Sequence, residues 1–97
     1  WLTPLVDRAP PKLGELAPTV PYATLRERSL GYAAYTAFHN FAGTPAMSVP
    51  LFWNDASLPI GSQFSAARGG ERVLLELAYQ LEAAQPWANK YPPVFAS

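Results

Sequence analysis

The apolar pattern of the chain is most regular between residues 32 and 52. Aromatic residues recur every three positions among alanines, which predicts a helix over residues 32–41. Gly43 and Pro45 follow and are typical of a helix end, since glycine adopts the left-handed conformation and proline cannot continue the helix. A strand is predicted over residues 46–52, because two sets of residues alternate there: Met47, Val49 and Leu51 on one face, and Ala46, Ser48 and Pro50 on the other.

The next segment predicts the return of the chain as an antiparallel hairpin. Residues 54–57 have turn composition, and residues 59–66 read as the second strand. Pro50 has no N–H to donate, so the first strand should be unpaired or bulged at that point. Gly61 lies in the middle of the second strand and predicts a bulge or a close approach of backbone.

The clearest helix predicted by the sequence covers residues 71–85. Two glycines precede it, Pro86 ends it, and the residues after Pro86 should be irregular and pack through their aromatic rings. Glu71 suits the first turn, and Arg72 and Glu76 should pair on the outer side. One apolar stripe runs along the helix: Leu74, Leu77, Ala78, Leu81 and Ala84.

The first 31 residues are dominated by proline. Residues 1–6 predict a short strand, which Pro4 would place at a sheet edge. The prolines and glycine of residues 10–21 exclude a long helix there and favour an extended loop, and residues 23–29 allow two helical turns ending near Gly31. We therefore predict an α+β fragment with two parts. Residues 1–31 are strand and proline-rich loop, and residues 32–97 are helix, hairpin, helix and tail.

The composition indicates that the chain is part of something larger. Hydrophobic residues make up 49% and charged residues only 14%, whereas charged residues are ~25% of a typical soluble domain. The chain begins at Trp1, and its only methionine is Met47. We therefore expect a piece of a longer polypeptide, with one side buried against further protein.

Charge and cysteine content exclude several functional classes. Seven basic and seven acidic residues give no net charge, which disfavours nucleic-acid binding. No apolar run approaches the ~18 residues of a membrane span. There are no cysteines, so disulfides and cysteine-based zinc sites are excluded. We expect a cytoplasmic protein that needs no cofactor or metal.

Three separated sequence blocks carry a family resemblance. In order and spacing they resemble the C-terminal region of the amidase signature family, and the resemblance extends over nearly all of the chain. It implies that the chain is part of the mixed α/β fold of a larger hydrolase that cleaves carbon–nitrogen amide bonds. The blocks are Asn40-x-x-Gly43-x-Pro45-Ala46-x-Ser48-x-Pro50, Leu58-Pro59-x-Gly61-x-Gln63 and Glu71-x-x-Leu74-Leu75-x-x-Ala78-x-x-Leu81-Glu82.

The resemblance also implies where the chemistry lies. In this family a serine attacks the amide carbonyl, and a second serine, in a cis peptide, relays the proton to a lysine. These residues lie N-terminal to the region present here, so no catalytic residue is expected in this chain. Lys12 and Lys90 lie in proline-rich surroundings unsuited to a buried base. The expected partners are the remainder of the amidase polypeptide and a small amide substrate, with a homodimer left open.

The same resemblance suggests a substrate class. The family carries substrate-contacting positions in the helix that ends at Asn40, and Tyr35, Phe38 and Asn40 are the candidates here. No acidic residue occurs in residues 32–39, which implies a neutral, apolar amide. Trp53 and the end of the last helix are most similar to the bacterial branch that includes 6-aminohexanoate cyclic-dimer hydrolase.

Each candidate also has an ordinary structural interpretation. Tyr35 and Phe38 are spaced as core residues would be. Asn40 could tie the helix end to the next loop by side-chain hydrogen bonds. His39, the only histidine, has no nearby acidic residue, so a partly buried helix histidine is favoured over a triad member or metal ligand.

Three further features have competing interpretations. Ser48 and Gln63 are expected to hydrogen-bond between strands or to hold an active-site loop. Arg68 could bind an anion, but a solvated strand end is the default. The alternative function for the whole chain is a non-catalytic structural or protein-interaction segment.

Overall fold

The computed structural model describes residues 1–95 and has the predicted α+β composition. Three strands form one antiparallel sheet, and three helices complete the described part of the chain. In chain order the elements are β1 (Leu2–Pro4), α1 (Tyr22–Tyr32), α2 (Ala37–Ala42), β2 (Ala46–Trp53), β3 (Pro59–Ser65) and α3 (Glu71–Ala84).

The sheet has the order β1-β3-β2, so β3 is the central strand and pairs with both β1 and its partner in the predicted hairpin, β2. β1 is shorter than the predicted strand over residues 1–6, and it lies at an edge, as Pro4 requires. In the register, Gln63 of β3 lies between Ser48 of β2 and Thr3 of β1. These three side chains therefore share one face of the sheet, because side chains directly opposite one another point the same way.

A β-bulge interrupts the hairpin where Pro50 predicted one. The pairing shifts between Pro50 and Phe52, which leaves Leu51 without a partner in β3. The carbonyl of Leu51 instead accepts a hydrogen bond from the side-chain amide of Gln85, the residue that follows α3. The bulge thus connects the sheet to the end of the last helix.

Gly61 is a point of close approach, as its position in the strand predicted. A Cβ atom there would lie 2.6 Å from Ser48 Oγ and 2.9 Å from Leu5 Cδ2. The Leu5 N–H donates to the Gly61 carbonyl at 3.3 Å. The chain after β1 therefore lies directly on the strand at this glycine.

The predicted single helix over residues 32–41 is wrong, because the chain breaks there into two helices. α1 ends at Tyr32, residues 33–36 form a turn, and α2 begins at Ala37. The Ala33 N–H donates to the Ser29 carbonyl at 3.0 Å and closes α1, and Thr36 Oγ1 donates to the Ala33 carbonyl at 3.3 Å. α1 is longer than the two predicted turns and continues through Gly31, so the expected boundary at residue 31 lies inside a helix.

The buried apolar core is small. Val49 and Leu74 are the apolar residues that are buried within residues 1–95, at 4% and 6% exposure. Leu74 belongs to the predicted stripe of α3, of which Leu77, Ala78 and Leu81 are half-buried and Ala84 is exposed. Sixteen large hydrophobic side chains of the described residues remain exposed, Leu75 and Tyr79 of α3 among them. Within the described range no helix has both the length and the apolar character to cross a membrane.

Candidate functional site

A buried polar cluster lies on the face of the sheet opposite to Val49. Gln63 and His39 are the buried polar side chains of residues 1–95, at 4% and 7% exposure. Gln63 Nε2 donates to Thr3 Oγ1 and to the Tyr35 carbonyl, both at 3.0 Å, and lies 3.4 Å from His39 Nε2. The expected strand-to-strand hydrogen bond of Gln63 is therefore present, and the same side chain also reaches the α1–α2 turn.

His39 is a buried helix histidine, as expected. Its Nδ1 lies 2.9 Å from Thr44 Oγ1, and its Nε2 faces the amide nitrogen of Gln63. The Thr44 hydroxyl can donate to Nδ1 or accept from it, according to which ring nitrogen carries the hydrogen. Within residues 1–95 no side-chain carboxylate is hydrogen-bonded to the ring, and no cluster of His, Cys, Asp or Glu could hold a metal ion.

The end of α2 has the predicted glycine stop. Gly43 has a left-handed φ of 67°, and its N–H donates to the His39 carbonyl at 2.9 Å. The Thr44 N–H donates to the same carbonyl at 3.3 Å. The expectation that Asn40 ties this helix end to the loop is wrong: across residues 1–95 its exposed side chain makes no such hydrogen bond, and His39 with Thr44 makes the connection instead.

Tyr35 and Phe38 do not form a core within this chain. They are 40% and 56% exposed. The ring of Phe38 packs edge-on against Trp1 at 5.5 Å and against His39 at 5.6 Å between centroids. Trp1 is itself 70% exposed, so Trp1 and Phe38 form an aromatic patch above the buried Gln63–His39 cluster.

A cavity of about 240 Å³ lies on the same face of the sheet, at Gly61. Its lining includes Leu5, Tyr32, Ser48 and Pro50, and it is mainly apolar. Tyr35, Phe38 and Asn40 do not line it. The structure therefore brings Phe38 next to the polar cluster but leaves the three candidate substrate contacts outside this cavity.

Arg68 is exposed just after the end of β3, as its default interpretation expected, but its guanidinium also contacts α2. Its Nε and Nη2 donate to the Ala42 carbonyl at 3.1 and 2.9 Å, and the guanidinium lies over Gly43. The predicted surface pair is present, with Arg72 Nε 2.9 Å from Glu76 Oε1. Arg68 is thus a cap for α2, although nothing in its local sequence indicated this.

Neither lysine of the chain has the surroundings of a catalytic base. Lys12 is exposed in the proline-rich loop, and Lys90 is exposed with its Nζ 4.4 Å from the centre of the Trp53 ring. A base that accepts a proton near neutral pH needs burial or a charged neighbour to adjust its proton affinity. The described residues thus offer a buried polar cluster and an aromatic patch, and both lysines lie outside them.

Sequence comparison identifies the family to which this chain is similar. The sequence model of the family described as Amidase matches residues 1–75. The putative amidase AmiC of Mycobacterium bovis is 44% identical over 95 residues, which is 98% of this chain and 20% of that protein. The 6-aminohexanoate-cyclic-dimer hydrolase of a Pseudomonas species is 37% identical over 97 aligned residues, which is 94% of this chain and 20% of that protein.

Structure comparison gives the same result. A solved structure of 6-aminohexanoate cyclic dimer hydrolase matches with a TM-score of 0.81 and 37% identity, over 95% of this chain and 20% of that one. The chain spans about a fifth of the length of these relatives. Because the family match extends over residues 1–75 and the fold agrees over nearly the whole chain, this protein belongs to the amidase family.

Proposed function

We propose that this chain is one part of an enzyme that hydrolyses amide bonds, and that it supplies scaffold and one wall of the substrate site. The observation that carries the proposal is the match to proteins named amidase and hydrolase over 94–98% of this chain. Since the chain covers a fifth of each relative, the catalytic groups are assigned to another part of the polypeptide.

The chemistry of the proposed enzyme follows from the family resemblance. A serine attacks the amide carbonyl, its proton passes through a second serine in a cis peptide to a lysine, and water hydrolyses the resulting acyl-enzyme. Backbone N–H groups stabilise the oxyanion. The described residues support this division of labour, because Lys12 and Lys90 are exposed.

Tyr35, Phe38 and Asn40 are the proposed contacts to substrate. All three are exposed in this chain and lie around α2, beside the face of the sheet that carries Gln63. Residues 32–42 include no acidic or basic side chain except His39, which is buried. A wall of this kind favours a neutral, apolar amide over a charged glutamyl or aspartyl substrate.

The proposed partner of the exposed apolar surface is the rest of the amidase polypeptide. Sixteen large hydrophobic side chains of the described residues are exposed, whereas the buried apolar residues among them are Val49 and Leu74. Such surface is typical of a face covered by further protein. A homodimer and a cytoplasmic location stay predictions.

The test uses the full-length polypeptide that contains these residues. We expect it to hydrolyse neutral amides, with 6-aminohexanoate cyclic dimer and an aromatic amide as probes, and to be much slower on glutamine and asparagine. A fluorophosphonate probe should label one serine outside these 97 residues. No hydrolysis of any probe together with no labelled serine would favour the alternative, a non-catalytic structural or interaction segment.

A further inference from the structure

We infer that Gln63 is a positioning residue: its side-chain amide sets where the α1–α2 turn lies against the sheet, and through that turn it controls selectivity among amide substrates. The inference rests on the proposed function for its enzymatic consequence. The positioning itself rests on hydrogen bonds within this chain.

The amide nitrogen of Gln63 has both of its hydrogens engaged. The two acceptors at 3.0 Å, Thr3 Oγ1 and the Tyr35 carbonyl, account for both. Thr3 belongs to the edge strand, whereas Tyr35 belongs to the turn between the two helices. Since Gln63 is only 4% exposed, water cannot replace these bonds.

A second set of contacts extends from Gln63 to the aromatic patch. His39 Nε2 lies 3.4 Å from the same amide nitrogen, and His39 Nδ1 bonds to Thr44 at the far end of α2. Trp1 directly precedes β1. The centroid of its ring lies 5.9 Å from that of the His39 ring and 5.5 Å from that of the Phe38 ring. The position of Phe38 therefore depends on the same cluster as the position of Tyr35.

These contacts affect geometry more than they affect the apolar core. Val49 lies on the opposite face of the sheet, because it pairs with Ser62 while Gln63 pairs with Ser48. Loss of the Gln63 hydrogen bonds should therefore free the α1–α2 turn without disrupting the packing of Val49 on the other face of the sheet. Tyr35 and Phe38 are both substantially exposed, so a shift of the turn moves the proposed substrate contacts directly.

The experiment compares full-length wild type with Gln63→Met, which keeps the length of the side chain but removes both donors. Ser48→Ala is the matched control, since Ser48 lies directly opposite Gln63 on the same face and makes no side-chain hydrogen bond within residues 1–95. For Gln63→Met we expect KM for a bulky aromatic amide to rise roughly fivefold to tenfold with kcat little changed, because a lost positioning contact weakens binding. KM for a small aliphatic amide should stay near wild type.

A purely structural role gives a different result. If Gln63→Met lowers kcat for both substrates in proportion to the loss of folded enzyme, with both KM values unchanged, the inference is overturned. Hydrogen exchange provides a measurement that does not need activity. Exchange should accelerate in residues 33–44 but not in α3 of Gln63→Met, and unchanged or uniformly faster exchange would overturn the inference even if the wild type hydrolyses no amide.

Discussion

The guanidinium of Arg68 donates two hydrogen bonds, of 3.1 and 2.9 Å, to the carbonyl oxygen of Ala42, the last residue of α2. Carbonyls at the end of a helix have no partner within the helix, and a cation there also complements the negative end of the helix dipole. Arg68 follows β3, so this pair joins the end of the hairpin to the end of α2.

Replacing Arg68 tests this connection. Arg68→Ala should lower the free energy of unfolding by about 1 kcal/mol, since the bonds are charge-assisted but partly exposed to solvent. Arg68→Lys should lose about half as much, because it keeps the charge but not the paired donors. Denaturant titration of the full-length protein measures both. Equal stability of Arg68→Ala and wild type would show that the pair contributes nothing.

Gly43 should tolerate substitution less well than another glycine with positive φ. Gly43 and Gly69 have φ values of 67° and 80°, but a Cβ atom at Gly43 would lie 3.0 Å from Arg68 Nη2, whereas Gly69 faces open space. Both alanine variants should lose about 1 kcal/mol from the left-handed backbone. Gly43→Ala should lose more, and the excess should vanish in an Arg68→Ala background. An equal loss at both glycines would contradict the contact.

The sequence predicted those features of the fold that depend on local patterns. The hairpin, the bulge at Pro50, the close approach at Gly61 and the stop at Gly43 each follow from residues that restrict their own backbone. The prediction of a single helix over residues 32–41 was wrong. Aromatic residues spaced three apart are compatible with one continuous helix and also with two helices joined by a turn. The break is accompanied by the bond from Gln63 to the Tyr35 carbonyl, which joins residues 28 positions apart.

The candidate site was less predictable, because its contacts join residues that are far apart in the sequence. The sequence marked Gln63 and His39 as separate features, but only the fold brings them within 3.4 Å. Arg68 and Gln85 donate to carbonyls that lie 26 and 34 positions away in the sequence. Such long-range hydrogen bonds leave no local sequence pattern. Asn40 had the right residue type to cap a loop, yet the adjacent His39 points inward and does so. The substrate contacts themselves stay predictions, because the chain spans about a fifth of the length of its relatives.

The two sides of α3 provide a test of the proposed partner. Leu74 is 6% exposed and shares a groove with Pro45 and Met47, so Leu74→Ala should cost about 2–4 kcal/mol in any context. Leu75 is 61% exposed here. If the rest of the polypeptide covers it, Leu75→Ala should cost more than ~1 kcal/mol in the full-length protein, whereas a solvated surface position stays within ~0.5 kcal/mol. Gln80→Ala on the same helix is the control.

The isolated 97 residues should show neither activity nor good solution behaviour. Their buried apolar core within residues 1–95 is Val49 and Leu74, while many large hydrophobic side chains are exposed and the formal net charge is zero. We expect self-association by light scattering after size-exclusion chromatography, and no hydrolysis of any amide probe. A stable monomer that melts cooperatively would instead indicate an independent binding domain.

Two phenylalanines of α2, Phe38 and Phe41, test whether the aromatic patch of Trp1 and Phe38 contacts substrate. Phe38 packs against Trp1 and His39 above the polar cluster, whereas Phe41 on the same helix is 92% exposed. In the full-length enzyme, Phe38→Ala should raise KM for an aromatic amide by roughly tenfold, equivalent to about 1.4 kcal/mol of binding free energy. Phe41→Ala should leave KM unchanged.

Two further variants separate contact from packing at this wall. Phe38→Leu keeps apolar bulk against Trp1, so it should recover most of the KM lost in Phe38→Ala if the substrate requires an apolar surface. Asn40→Ala should not change stability, because the Asn40 side chain makes no hydrogen bond within residues 1–95. A raised KM in Asn40→Ala at unchanged stability would therefore indicate a direct contact with the amide. Unchanged KM values in Phe38→Ala and Asn40→Ala would assign the wall to residues elsewhere in the polypeptide.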